Sequence, residues 1–113
     1  MEVSERRLAD MAGAELAAHV ASYGCGVPAE EILRPKRGSA RASFARQVAM
    51  YLCYVGFEIS LTRVANAFDR DRSTVAHACH IIEDRREEPR FDRWISGLEA
   101  MMRRAPQPTA RTL

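Results

Sequence analysis

A chain of 113 residues has room for one domain and not two. With 47% hydrophobic and 28% charged residues it lies in the ordinary globular range, able to bury a core without disulfides or metals. No run of about 18 apolar residues is present, which excludes a membrane-spanning helix, and a net charge of +2 by itself points to no class of partner.

Residues 1–13 read as a flexible or frayed helical lead-in. Met1 to Asp10 mix Glu and Arg without an apolar stretch, so no secretory signal is expected, and a cytoplasmic, nucleoid-associated location is. Residues 14–23 follow a helical pattern with Leu16, Val20 and Tyr23 on one stripe, and Gly24 is the expected stop. Residues 28–33 read as a short helix: Pro28 suits its first turn, and Glu30 and Glu31 suit the positive end of its dipole. Residues 34–41, with Pro35 and Gly38, read as a loop.

A strong amphipathic helix is expected over residues 43–55, where Ala45, Val48, Ala49, Leu52 and Cys53 recur on one face before Gly56 ends it. Ser60 is a natural N-cap for the next helix, with Leu61, Val64, Ala65 and Phe68 facing inward. Asp69, Arg70 and Asp71 break the pattern. A further helix then starts with Asp71 as its cap and Val75, Ala78, Cys79 and Ile82 as its buried stripe, and Pro89 closes it. The last helix, residues 90–104, buries Phe91, Trp94, Ile95, Leu98, Met101 and Met102. The tail, residues 105–113 with Pro106 and Pro108, is expected to be disordered. No strand pattern or internal repeat is visible, so the expected fold is all-α, a helix bundle containing a helix-turn-helix.

Charge is distributed unevenly. Sixteen of the seventeen basic residues are Arg, the side chain suited to phosphate forks and base edges. Residues 34–46 carry Arg34, Lys36, Arg37, Arg41 and Arg46 with no acidic residue, while acids collect at Glu30-Glu31, Glu83-Asp84 and Glu87-Glu88. That is a local basic patch on a near-neutral chain. Cys25, Cys53 and Cys79 are an odd count without CxxC spacing, and Cys53 and Cys79 read as reduced packing residues. His77, Cys79 and His80 are close in sequence, but a helix spreads them around its circumference, so no metal site is expected.

Two short amphipathic helices joined by about three polar residues, after a longer helix, make the helix-turn-helix plan. Its second helix must bury one side and offer its N-terminus and opposite side to a duplex. Arg70, Asp71 and Arg72 stand at that start, with Ser73, Thr74, His77 and His80 alongside. Arg72 has the donors for guanine, Ser73 and Thr74 can reach bases or phosphates, and the Thr74 methyl can meet thymine. Asp71 fits either a cytosine amino group or a bland role as N-cap, and the two are compatible. His77 and His80 fit a solvated surface, phosphate, a base edge or a core hydrogen bond.

Residues 45–84 resemble the C-terminal DNA-binding domain, domain IV, of the bacterial replication initiator DnaA, a Trp repressor-like fold. The matching blocks are RQVAMYL, SLTRVANAF and DRSTVAHAC, in the right order and spacing, and the likeness extends over residues 14–104. The resemblance implies that Asp71, Arg72, Ser73 and Thr74 contact bases and nearby phosphates in the major groove. It implies that Arg37 enters the adjacent minor groove, with Arg41 as its rival, and that Arg46 and Gln47 grip the backbone. Three departures stand out: Asp69 replaces a usual glycine, Ser73-Thr74 replaces a Thr-Thr pair, and Phe44 stands where a basic residue is common. The resemblance therefore does not carry over the initiator's usual box.

The sequence has no GxxxxGK[ST] loop and no room for an ATPase domain, and no nucleophile–base arrangement stands out, so an enzyme is not expected. The expected partner is double-stranded DNA, with RNA polymerase or a second activator as a protein partner and no small-molecule substrate. In size and organisation the chain is similar to DnaA-like activators of gene transfer agent or prophage-type clusters. The rival reading is a protein-interaction module or replication-control protein that keeps the fold, presenting the Glu83–Glu88 charge run and the Met101-Met102 helix end.

Overall fold

The computed structural model describes residues 3–34 and 38–105, and among them there are helices and no strands. In chain order these are α1 (Val3–Cys25), α2 (Ala29–Leu33), α3 (Ala40–Phe57), α4 (Leu61–Phe68), α5 (Arg72–Arg85) and α6 (Pro89–Arg104). Most of the tail, residues 106–113, lies outside the described residues, as do Lys36 and Arg37.

The central element is α3. It starts three residues ahead of the expected position because the Ser39 hydroxyl accepts from the Ala42 N–H at 3.1 Å. Its expected inward face is buried, and Ala42, Met50 and Tyr51 are buried as well, so the helix is covered on nearly every side. It runs on past Gly56 to Phe57. Glu58 then ends it at φ 52°, a left-handed conformation expensive for a side chain of this kind.

The lead-in is helical over its described residues, and α1 runs without a break from Val3 to Cys25. Its buried seam is built from Ala14, Ala17, Ala18, Val20 and Ala21, while Tyr23 is 77% exposed, contrary to the expected stripe. Residues spaced i, i+3, i+4 and i+7 share a helix face, and alanine there lets α1 lie close to α3. The helix ends at Gly26, φ 69°, rather than at Gly24. Gly24 serves packing instead: a Cβ there would stand 2.9 Å from Leu98 Cδ1 and 3.1 Å from the Trp94 ring.

The buried stripes expected for α4 and α5 are present, with Val64, Ala65, Phe68, Val75, Ala78, Cys79 and Ile82 all in the core. Pro89 does not close α5. That helix ends at Arg85, and Pro89 is the first residue of α6, where its missing N–H costs nothing. The Glu88 carboxylate caps α6, accepting from Arg90 N at 3.1 Å and Phe91 N at 2.8 Å. On α6, Phe91, Ile95, Leu98 and Met102 are buried, whereas Trp94 and Met101 are only partly covered.

Arg86, which no sequence pattern marks out, ties three elements together. Its guanidinium donates to Asp92 Oδ1 at 2.6 Å, Ser96 Oγ at 2.9 Å and Tyr51 Oη at 3.0 Å, and pairs with Glu99 Oε2 at 3.0 Å. Burial opposes its charge, but the bonds to Asp92, Glu99 and Tyr51 outweigh that and raise its pKa above the ordinary arginine value. Nearby, Phe44 stacks on Trp94 with centroids 6.2 Å apart, and the Arg85 guanidinium lies 4.2 Å from the Phe91 centroid. The aromatic residue at 44 thus joins α3 to α6, and the departure at this position has a packing rationale.

Two stability measurements follow. Arg86→Ala strands a partly buried carboxylate pair and a phenol, so urea denaturation is expected to show a loss of about 2–4 kcal/mol. The second concerns pH. Burial pushes the Cys53 thiol up to about 12 and the Cys79 thiol up to about 11. An unfolded thiol ionises near about 8.5, so above that pH the unfolded chain sheds protons that the folded one keeps. Stability should be level below about pH 8 and fall by roughly 1 kcal/mol per pH unit per thiol between about 9 and 11. Cys53→Ala and Cys79→Ala should each flatten that decline, and an unchanged slope in both would refute the assignment.

Candidate nucleic-acid interface

The motif is α4, the turn at Asp69, Arg70 and Asp71, and α5. Ser60 caps α4 as expected, its hydroxyl accepting from Arg63 N at 3.2 Å. At the other end Asp69 adopts φ 55° and ψ 50°, and the Arg70 N–H returns to the Ala65 carbonyl at 2.9 Å. This is the left-handed helix stop that glycine favours, so the usual glycine and the Asp found here answer the same backbone requirement. Aspartate is among the side chains that tolerate it best.

At the start of α5, Asp71, Arg72, Ser73 and Thr74 are all exposed, as is His77 one turn on. The side chains behind them, Val75, Ala78, Cys79 and Ile82, are buried, so the exposed set forms one outward face. Asp71 occupies the N-cap position, and its carbonyl accepts from Thr74 N at 3.0 Å and Val75 N at 3.2 Å. Its carboxylate makes no capping bond, which corrects the expected side-chain cap and leaves that group at the surface. His80 is exposed with Nε2 3.3 Å from Asp84 Oδ2, while Cys79 points into the core, so the three adjacent metal-capable side chains diverge.

The basic residues upstream do not act alike. Arg46 was expected on the DNA backbone but is only 6% exposed. Its Nε donates to the Ile32 carbonyl at 2.8 Å and its Nη2 to the Glu31 carbonyl at 2.9 Å. Burial, and then the charge of Arg70, lower its pKa, though a guanidinium stays protonated throughout. The placement departs from the expected phosphate grip for a physical reason: a buried charge needs acceptors, and the last carbonyls of α2 supply them. Gln47 beside it is half-buried on α3.

Arg70 is half-buried in the turn, and its Nη2 donates to the Arg34 carbonyl at 2.7 Å. Arg41 is exposed, but its Nη2 donates to the Cys25 carbonyl at 3.1 Å and so closes the end of α1. Lys36 and Arg37 lie outside the described residues. Sequence periodicity thus identifies the exposed face of α5, while the inward turn of Arg46 and the backbone bonds of Arg41 and Arg70 carry no sequence signal. Polar residues that the reading passed over join the site: a cleft of about 360 Å³ beside the turn is lined by Arg7, Asn66, Asp69, Arg70, Asp71 and Thr74.

The family model described as the bacterial dnaA protein helix-turn-helix matches residues 14–82. The chain is 40% identical over 79 residues to the chromosomal replication initiator protein DnaA of Aquifex aeolicus, covering 69% of this chain and 19% of that protein. It is 39% identical over 74 residues to DnaA 1 of Chlamydia pneumoniae, covering 66% of this chain and 16% of that one. A crystal structure of a DNA replication initiation factor superposes with a TM-score of 0.76 at 29% identity, covering 89% of this chain and 31% of its own. The chain therefore spans less than a third of the length of these relatives. The match takes in α3, α4 and the buried stripe of α5, and the chain belongs to the bacterial DnaA helix-turn-helix family.

Proposed function

We propose that this domain binds double-stranded DNA sequence-specifically, with the start of α5 in the major groove, and acts as a transcription regulator. The finer reading is an activator of phage-like or gene transfer agent genes, working with a partner protein such as RNA polymerase or a second activator. The observation that carries the DNA reading is the exposed row Arg72, Ser73, Thr74 and His77 at the amino end of a helix whose opposite face is buried. In this reading Arg72 forks onto a guanine, Thr74 meets a thymine methyl or a phosphate, and Asp71 accepts from a cytosine amino group. Arg37 enters the adjacent minor groove, or in its place Arg41 on releasing the Cys25 carbonyl, while Lys36 and Gln47 serve the backbone. Arg46 and Arg70 act as positioning residues, since their donors are directed to carbonyls of residues 31, 32 and 34.

No helix among the described residues is long and apolar enough to cross a membrane, and none of their His, Cys, Asp and Glu side chains form a group suited to a metal. The protein-interaction alternative loses Met102, which is 1% exposed, from its apolar element, and Glu88, which caps α6, from its charge run. Replication control would use the same DNA-reading face, and mapping the bound sites across a genome by immunoprecipitation and sequencing separates it from gene regulation.

Affinity for a duplex site should fall steeply with salt, because several arginines displace counterions. Weak, salt-independent binding to every duplex tried would defeat the DNA reading. Arg72→Ala or Thr74→Ala should cost about 1–3 kcal/mol on the preferred site and blur sequence preference. Equal losses on preferred and random DNA would remove Arg72 as a base reader. Arg46→Ala leaves carbonyl acceptors unpaired and should destabilise the fold by about 2–4 kcal/mol. Its salt slope, measured well below the melting point, should match that of the unaltered domain, and a shallower slope would return Arg46 to the phosphate-contacting set.

A further inference from the structure

The first turns of α1 lie ahead of residues 14–82, the part that matches the family. They pack beside α4 and are pinned there by Asp10, whose carboxylate receives Arg63 Nη2 at 2.7 Å and Nε at 2.9 Å. The Asp10 side chain is 12% exposed and that of Arg63 35%, so the carboxylate of this bidentate pair is shielded from water while the guanidinium stays partly open to it. Arg6 and Arg7 sit one turn ahead of that clamp. Both are exposed, and neither takes part in the ion pairs formed among the described residues.

Two clefts meet at this point. One opens at the start of α5, between Thr74 and Arg7; the other, about 130 Å³, lies between Arg6 and Arg63. Arg7 and Asn66 line both, so the two clefts adjoin between the start of α5 and the first turns of α1. Asp69 and Asp71 stand at the α5 end. At the α1 end three guanidiniums face a single carboxylate, and that carboxylate is already engaged by Arg63.

We propose that Arg6 and Arg7 form a second grip on DNA, contacting backbone phosphates that flank the segment read by α5. The inference rests on the DNA-binding reading above and extends it to residues outside the family match. The occupant is a phosphodiester backbone because the arginine-lined clefts adjoin the exposed start of α5, so one duplex can meet both. Guanidiniums recognise phosphate oxygens by their fork, and a helix fixed by the Asp10–Arg63 clamp spends little entropy in presenting them. Such contacts add affinity and register without sequence preference.

The test is a salt titration of the whole chain and its R6A/R7A variant against a preferred duplex and a random duplex. Both positions are exposed on a helix and alanine suits helices, so the variant should melt with the unaltered protein, which circular dichroism checks. The expected result is equal loss of affinity on both duplexes, with the slope of log K against log salt reduced by about 0.9 for each contact removed. Arg6→Lys with Arg7→Lys should recover most of the slope. Trimming the duplex on the flank covered by α1 should weaken the unaltered protein and leave R6A/R7A unchanged. An unaltered protein that binds specifically while R6A/R7A keeps the full slope overturns this inference alone. An unaltered protein that binds no duplex overturns both the inference and the reading beneath it. Loss confined to the preferred duplex would make these arginines sequence readers and would also overturn the proposal.

Discussion

Arg46 is the one charged side chain buried among the described residues, and the seating of α2 against α3 depends on how its charge is compensated. A guanidinium withdrawn from water is tolerated only when its N–H groups find acceptors. Those acceptors are the carbonyls of Glu31 and Ile32, groups that a five-residue helix leaves unsatisfied at its end. One interaction thus meets two needs and fixes α2 against α3. Arg70 repeats the device from the turn of the motif, taking the Arg34 carbonyl. The stretch of chain just ahead of Lys36 and Arg37 is therefore held by both the central helix and the turn before α5.

The helix α5 is held at each end by different chemistry. At its start, backbone geometry sets the direction: Asp69 in the left-handed region turns the chain sharply, and the Arg70 N–H bonds back into α4. At its far end Arg86 gathers Tyr51 of α3 with Asp92, Ser96 and Glu99 of α6. Arg85 lies over the neighbouring aromatic rings of Phe44 and Phe91. Between these anchors the buried stripe from Val75 to Ile82 packs into the core. A helix fixed at both ends presents its outer side chains in one orientation, which lowers the ordering cost of any surface that docks there.

Much of this was legible in the sequence, and what was not has identifiable causes. Large apolar residues at helical spacing revealed α4, α5 and α6, because few arrangements other than a buried face explain such a pattern. The same rule misread α1, where the seam is alanine and the conspicuous Tyr23 points outward. Helix ends shifted wherever a backbone conformation, rather than a residue type, decided them, as at Glu58 and Gly26. Charge was the least legible property. Arg46, Arg41, Arg70 and Arg86 look alike in a sequence, yet the first is buried, the next two cap carbonyls and the last is a hub. The direction of a long side chain depends on which acceptors the fold brings near it, and periodicity does not encode that.

The alanine seam of α1 has a consequence for how such a domain tolerates change. Ala14, Ala17, Ala18 and Ala21 are at most 1% exposed, and Gly13 and Gly24 sit against Phe57 and Leu98. A surface made of the smallest side chains has no volume left to trade, because any enlargement drives two helices apart along their whole contact. Drift in this region is therefore channelled outward, toward Leu8, Met11 and Tyr23, where substitutions alter what the molecule shows to its surroundings without disturbing the spacing within.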